Sequence, residues 1–232
     1  MLFIIFILGA LLGSSMGAFI HRRENIKDFI FGRSHCESCH YTIPLYLNIP
    51  LISYVLLRGK CRNCKEKIPL VVPAYEAVTA VVFCLLYLKY GISGLFLIRA
   101  VQSVVLLTIS FTDLRSKEVY TLDIFALFVL ELVHNLAFDS DLIMPFVNMV
   151  LLLVVYYSIY KLSSAMGEAD VLLGAVSGFF AKDLLGAFAV FRNAFVLASI
   201  FSIILLVFRR KNLKDDIAFC PYIAMSILGV ML

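Results

Sequence analysis

Charge is scarce in this sequence. Asp, Glu, Lys and Arg make up only 16% of its 232 residues, while 62% are hydrophobic and the mean hydropathy is +0.97. A water-soluble domain carries about a quarter charged and about half apolar residues. So little polar surface excludes a soluble globule and leaves an integral membrane protein. No internal repeat, low-complexity tract or Ser/Gly linker breaks the chain, which argues against a second soluble domain and against a transporter built from repeats. No Lys or Arg precedes His21. A cleaved signal peptide needs positive charge ahead of its apolar core, so residues 2–20, followed by His21, Arg22 and Arg23, are expected to form a first transmembrane helix. A Gly-rich nucleotide-binding fingerprint is also missing.

What the chain does have is apolar runs of spanning length. A helix crosses a bilayer with roughly 20 mostly apolar residues, and such runs predict an all-α membrane protein of about eight spans. They are expected over 2–20, 71–88, 95–112, 119–137, 142–160, 168–182, 186–208 and 217–232, the sixth being weakened by Lys182 and Asp183. Three regions follow: a first helix at 1–20, a cytoplasmic loop at 21–70 and a multi-helix membrane domain at 71–232.

Orientation follows from positive charge, which is held on the cytoplasmic side of short loops. With the amino terminus outside, the loops at 21–70, 113–118, 161–167 and 209–216 are cytosolic and hold about 16 of the 20 Lys and Arg residues. The outer side keeps Lys89, Arg99, Lys182 and Arg192, and the outer turn Phe138, Asp139, Ser140 and Asp141 has no positive charge. Arg99 and Arg192 read as interfacial anchors whose long side chains snorkel to the headgroups. Gly174-x-x-x-Gly178 marks a close-packing helix face. The basic loop suits anionic lipid headgroups; no nucleic-acid partner is expected.

Four of the six cysteines lie in that loop, as Cys36-x-x-Cys39 and Cys61-x-x-Cys64. Two such pairs, about 21 residues apart, have zinc-ribbon spacing, and two tight turns of thiolates close a tetrahedral four-sulfur site. A reducing cytosol disfavours disulfides, and a redox pair would not need a second copy. His35 and His40 flank the first pair as substitute ligands, but four thiols suffice. A loop this poor in core residues needs a metal to order it, so the zinc is read as structural. Cys84 and Cys220 read as small apolar packers.

Asp113 ends the third expected span and Asp170 opens the sixth, so two intervening spans return the chain to the same face. Acids at membrane depth are costly and point to function. When two carboxylates sit close, one keeps its proton while the other stays charged. The charged one then takes a proton from an attacking water and the protonated one donates to the carbonyl oxygen, as in aspartic proteases. Helix capping is the ordinary alternative, above all for Asp170 at a helix start.

These residues resemble the type IV prepilin peptidase family along nearly the whole chain. Gly167-Glu168-Ala169-Asp170 is similar to the family's Gly-x-Gly-Asp motif, and Asp113 in Phe111-Thr112-Asp113-Leu114-Arg115 is similar to its other catalytic aspartate. The run Asn48 to Tyr54, followed by Leu57-Arg58-Gly59-Lys60-Cys61-Arg62-Asn63-Cys64, resembles the family's zinc loop. Ala218-Phe219-Cys220-Pro221-Tyr222 resembles its Phe-x-Pro-Phe segment. Several positions depart from the pattern: Gly17 stands where Asn is usual in the first helix, Leu172 where Lys is frequent, and Val119-Tyr120 where Ile-Pro is usual.

The resemblance implies a bacterial inner-membrane endopeptidase that removes the leader of pilin, pseudopilin or competence precursors at the cytoplasmic face. Asp113 and Asp170 would be catalytic, and Cys36, Cys39, Cys61 and Cys64 would hold zinc. Many family members also methylate the new amino terminus with S-adenosylmethionine, an activity tied to the first loop and to a glutamate matched here by Glu76. Glu76 also has an ordinary reading as an interfacial helix-start acid. The alternatives are a peptidase without methyl transfer, a proton-relay transporter using the two aspartates, or a non-enzymatic assembly scaffold.

Overall fold

A computed structural model describes residues 1–138, 141–163, 166–208 and 217–232. The expected outer turn at Asp139 and Ser140, part of the loop at 161–167 and the basic loop at 209–216 lie outside the described residues. Among the described residues the regular structure is helical, apart from two isolated antiparallel bridges, His35 with Thr42 and Lys60 with Lys67. The chain divides into two compact units, Met1–Phe96 and Leu97–Leu232.

The first unit is a helix pair that carries a loop. α1 (Leu2–His21) and α4 (Val71–Tyr90) pack along their length. Between them run α2 (Ile26–Phe31), a 3-10 turn at Leu45–Leu47 and α3 (Ile52–Leu56). The two long helices approach closely because Gly9, Gly13 and Gly17 recur every fourth residue on one face of α1. A Cβ at Gly9 would stand 2.7 Å from the Ala80 Cα, one at Gly13 2.5 Å from the Tyr75 carbonyl oxygen, and one at Gly17 2.5 Å from the Tyr75 ring. In lipid, such close approach supplies the dispersion contacts that hold helices together.

The second unit holds α5 (Gly94–Ser116, from Leu97 onward), α6 (Thr121–Phe138), α7 (Ile143–Ser163), α8 (Glu168–Phe179), α9 (Leu184–Val207) and α10 (Cys220–Met231). α5 is rich in hydroxyls, and it tolerates them by bonding them inward. Thr108, Ser110, Thr112 and Ser116 each donate to the carbonyl four residues back, at 2.7–3.0 Å, so none of these four hydroxyls is left unpaired. Asp183 starts α9 by accepting the Gly186 N–H at 2.7 Å. The interruption seen at Lys182 and Asp183 in the sequence is thus a helix boundary.

α8 packs on α7 through the glycine face that the sequence singled out. A Cβ at Gly174 would meet the Tyr156 ring at 2.5 Å, and one at Gly178 the Asn148 carbonyl at 2.5 Å. Among the described residues, six helices are long and apolar enough to cross a membrane. The remaining two of the eight expected spans, α8 and α10, have 12 residues each. At about 1.5 Å per residue that is roughly 18 Å, short of a hydrocarbon core of about 30 Å. Both begin at the site described next.

One expectation is overturned. Arg99 does not snorkel as an interfacial anchor; it is buried, donating to Glu131 of α6 at 2.7 Å and to Gln102 at 2.9 Å. Gln102 also donates to Glu131 at 2.8 Å, and the His134 ring stands 3.1 Å from the guanidinium. A buried charge demands a partner, and that partner is 32 residues away on another helix. Arg192, by contrast, is exposed and bonds its neighbour Asn193.

Candidate active site and metal centre

The loop of the first unit contains two copies of one turn. In the first, the His40 amide donates to the Cys36 carbonyl at 2.9 Å and the Cys36 amide to the Tyr41 carbonyl at 3.0 Å; in the second, Lys65 donates to Cys61 at 3.1 Å and Cys61 to Glu66 at 2.8 Å. His40 and Lys65 each close their turn at positive φ, 53° and 62°. Each turn therefore presents a Cys-x-x-Cys pair, and the two pairs face each other.

The four sulfurs converge. Cys36 and Cys64 are 3.8 Å apart and Cys39 and Cys61 are 4.0 Å apart, with all four within 4.8 Å of one another. A disulfide would bring sulfurs to about 2.05 Å, whereas four sulfurs about 2.3 Å from a tetrahedral zinc stand about 3.8 Å from each other. The donor set and its spacing fit zinc. The thiols also respond to one another. The Tyr41 amide holds Cys39 well below the ordinary thiol, at about 6, and the Cys64 amide lowers Cys61. For Cys64 the pull of the Glu66 amide is outweighed by burial and by its three sulfur neighbours, which push it up to about 12. Thiolates this close ionise together only around a cation. His35 and His40 pack ring to ring, 5.8 Å apart, outside the four-sulfur set.

The loop, α1 and α4 of the same unit form an open cavity of about 860 Å³, lined in part by Ser14, Gly17, His21, Leu51 and Glu76. Glu76 is only 7% exposed, and its carboxylate accepts the Leu51 amide at 2.6 Å and a hydrogen bond from Ser14. Leu51 has φ 61° and ψ −46°, a conformation that costs a non-glycine residue energy and survives where its surroundings impose it. Here the surroundings are Pro50 before it and the Glu76 carboxylate on its amide. Gly17 needs no Asn-sized space, because the Tyr75 ring fills it.

In the second unit Asp113 and Asp170 meet. Asp113 lies in the last turn of α5 and Asp170 in the first turn of α8; they are 6% and 9% exposed. One carboxylate oxygen of each, together with the Cys220 sulfur, lies within 4.8 Å of the others. Two helix starts hold the acids in place. The Gly167 amide donates to Asp170 Oδ2 at 3.0 Å, and the Cys220 amide at the start of α10 donates to Asp113 Oδ2 at 3.1 Å. The first amides of a helix lack intrahelical partners and favour negative charge. This explains why two short helices begin at this point.

Cys220 was missed as a polar participant in the sequence reading, and its reading as an apolar packer is corrected. It is buried, but its thiol donates to Asp170 Oδ1 at 3.0 Å while its amide holds Asp113, so one residue touches both acids. Its place inside the Phe219 to Tyr222 segment was the only signal. The tether is tertiary, spanning 107 residues to Asp113, and no local pattern encodes it. Cys84 reads as expected, its thiol lying 4.0 Å from the Leu2 carbonyl.

Comparison with known proteins finds relatives of this chain. Residues 7–90 match the family model described as Bacterial Peptidase A24 N-terminal domain. The chain is 34% identical over 155 residues to a prepilin leader peptidase/N-methyltransferase of Neisseria gonorrhoeae, covering 62% of this chain and 53% of that protein. It is 42% identical over 82 residues, 35% of the chain and 30% of the relative, to a type 4 prepilin-like proteins leader peptide-processing enzyme of Escherichia coli. The match to the prepilin leader peptidase/N-methyltransferase of Vibrio cholerae is 29% identical over 238 residues, covering 95% of the chain and 89% of the relative. The chain thus aligns with about half or less of the first two relatives, and with most of the third. No solved structure matches it. Over nearly its whole length, the chain is thus similar to prepilin leader peptidase/N-methyltransferases.

Proposed function

We propose that this protein is a membrane aspartyl endopeptidase that removes the leader of prepilin-like precursors at the cytoplasmic face. The observation that carries the reading is the pair of buried carboxylates, from helices separated in sequence, with oxygens within 4.8 Å. At that separation the pair holds one proton between two acids. The ionised carboxylate takes a proton from water as its oxygen bonds to the peptide carbonyl carbon, and the protonated one gives its proton to the carbonyl oxygen. Collapse of the tetrahedral species then breaks the C–N bond: the carboxyl that took the water proton passes it to the leaving nitrogen, and a hydroxyl of the tetrahedral carbon returns a proton to the other carboxylate. The Gly167 and Cys220 amides fix the two acids so that neither has to reorient during the reaction. The substrate class comes from the relatives, whose names describe action on prepilin-like proteins. Co-expression with such a precursor should shift the precursor to its mature size. A precursor that stays full-length would count against the proposal.

The zinc loop serves as a structural part of the enzyme, with its charge facing anionic headgroups and the amino terminus outside. Zinc bound to the four thiolates would supply the crosslink that the loop's few buried residues do not.

A second step, N-methylation of the new amino terminus, is supported by the 860 Å³ cavity that Glu76 borders. A space of that size accommodates a cofactor such as S-adenosylmethionine, for which Glu76 offers a buried anion toward the incoming amine. After complete cleavage with S-adenosylmethionine present, the mature peptide is expected to gain the mass of one methyl group, and Glu76→Gln to lose that gain while still cutting. A product that never gains it leaves a peptidase alone, the outcome foreshadowed by Gly17 and the Tyr75 ring beside it.

A further inference from the structure

We propose that Tyr156 positions the attacking water of the aspartate site, its hydroxyl donating a hydrogen bond to that water. The inference rests on the peptidase reading above and adds a residue that neither motif contains. Tyr156, in α7, is fully buried (0% exposed), and its hydroxyl has no hydrogen-bond partner among the described residues. A buried hydroxyl left unpaired is destabilising, because it loses its bond to water and gains none in return. A phenylalanine would fill the same ring space without that penalty. The hydroxyl is therefore retained where a ligand completes it.

Its surroundings identify the ligand. The ring lies across Gly174, where a Cβ would stand 2.5 Å away, and Gly174 is one helical turn beyond Asp170 on the same face of α8. On its other sides the ring meets Phe191 at 5.4 Å and stacks on Phe195 at 6.1 Å. Phe195 in turn packs at 5.0 Å against Phe219, the residue before Cys220. These neighbours are aromatic, and they tie Tyr156 to the helix face that carries Asp170 and to the segment that carries Cys220. Tyr156 thus packs beside the helix turn that follows Asp170 and, through Phe195, beside the residue that precedes Cys220.

A buried water needs two to four polar partners. Asp113 and Asp170 accept its two protons and Tyr156 donates to one lone pair, which leaves the second lone pair for the peptide carbonyl. As the O–C bond forms, the ionised carboxylate takes one water proton and the other carboxyl protonates the carbonyl oxygen. Tyr156 keeps its own proton throughout. Its contribution is orientation of the nucleophile, so its loss should slow the chemical step and leave substrate binding intact.

The test compares wild type with Tyr156→Phe, both purified full-length, cutting a prepilin-like peptide. The expected result is a kcat lower by roughly 10- to 100-fold, a KM within about twofold, and a melting temperature equal to or above that of wild type. The last readout separates this role from a structural one, because a packing hydroxyl would cost stability when removed. Unchanged kcat, a rise in KM that accounts for the loss, or a lowered melting temperature each overturns the proposal. Inactivity of the wild type on the peptide overturns the peptidase reading and this proposal together, whereas an active wild type beside an equally active Tyr156→Phe removes only Tyr156.

Discussion

Replacing Asp113 or Asp170 by Asn is expected to reduce cleavage by roughly 10²–10⁴-fold or more, a barrier increase of about 3–5 kcal/mol, while the protein still inserts and accumulates. Asn matches Asp in shape and can still accept the amide of Cys220 or Gly167 that holds each acid, so the helix starts should survive. What it cannot do is exchange a proton. Because the two acids share one task, the double variant should be little worse than either single one. Detergent-purified protein, matched for yield, gives the comparison. Near-normal turnover in either single variant would remove that aspartate from the mechanism. A loss of protein instead of activity would mean the carboxylates are caps and not reagents.

The second large effect concerns the loop. Purified wild type should carry about one zinc per chain, as a closed four-thiolate site requires, and Cys61→Ser should carry almost none. Structural zinc contributes about 10–16 kcal/mol in small domains. The loop has no other comparable source of order: α2 contains no buried residue and α3 only Ser53. Without zinc, limited proteolysis should cut between residues 21 and 70 while the long helices remain protected. A metal-free wild type prepared without chelator, or a Cys61→Ser loop as resistant as wild type, would contradict the structural role.

These outcomes depend on features that differ in how openly the sequence displays them. The six long helices are visible because apolar runs of about 20 residues are a local property. The zinc turns are local too, each a Cys-x-x-Cys closed within six residues. Asp113 and Asp170 stand out as acids at the ends of apolar runs, but their convergence needs α6 and α7 to return the chain. What the sequence hides is pairing across distance. The Arg99–Glu131 ion pair joins two helices and turns an apparent surface anchor into a buried charge. Cys220 looks apolar until its amide and thiol are seen on two carboxylates.

Small residues show the same division. Gly174 and Gly178 attract notice as a pair, yet Gly9, Gly13 and Gly17 form a longer stripe with equally close contacts. The stripe is easily overlooked inside a helix apolar on every side, where no periodicity marks the packed face. The lengths of α8 and α10 were hidden for another reason. Composition continues apolar past Phe179, but the helix stops before Asp183 caps the next one.

The most direct measurement is cleavage of a synthetic prepilin leader peptide by the purified full-length protein, with no metal added and with a chelator too weak to strip the thiolate site. A two-aspartate mechanism predicts a single cut at the end of the leader, identified by mass, at a rate the chelator does not change. An intact peptide, or a rate that falls to zero with the chelator and returns with added metal, would contradict it.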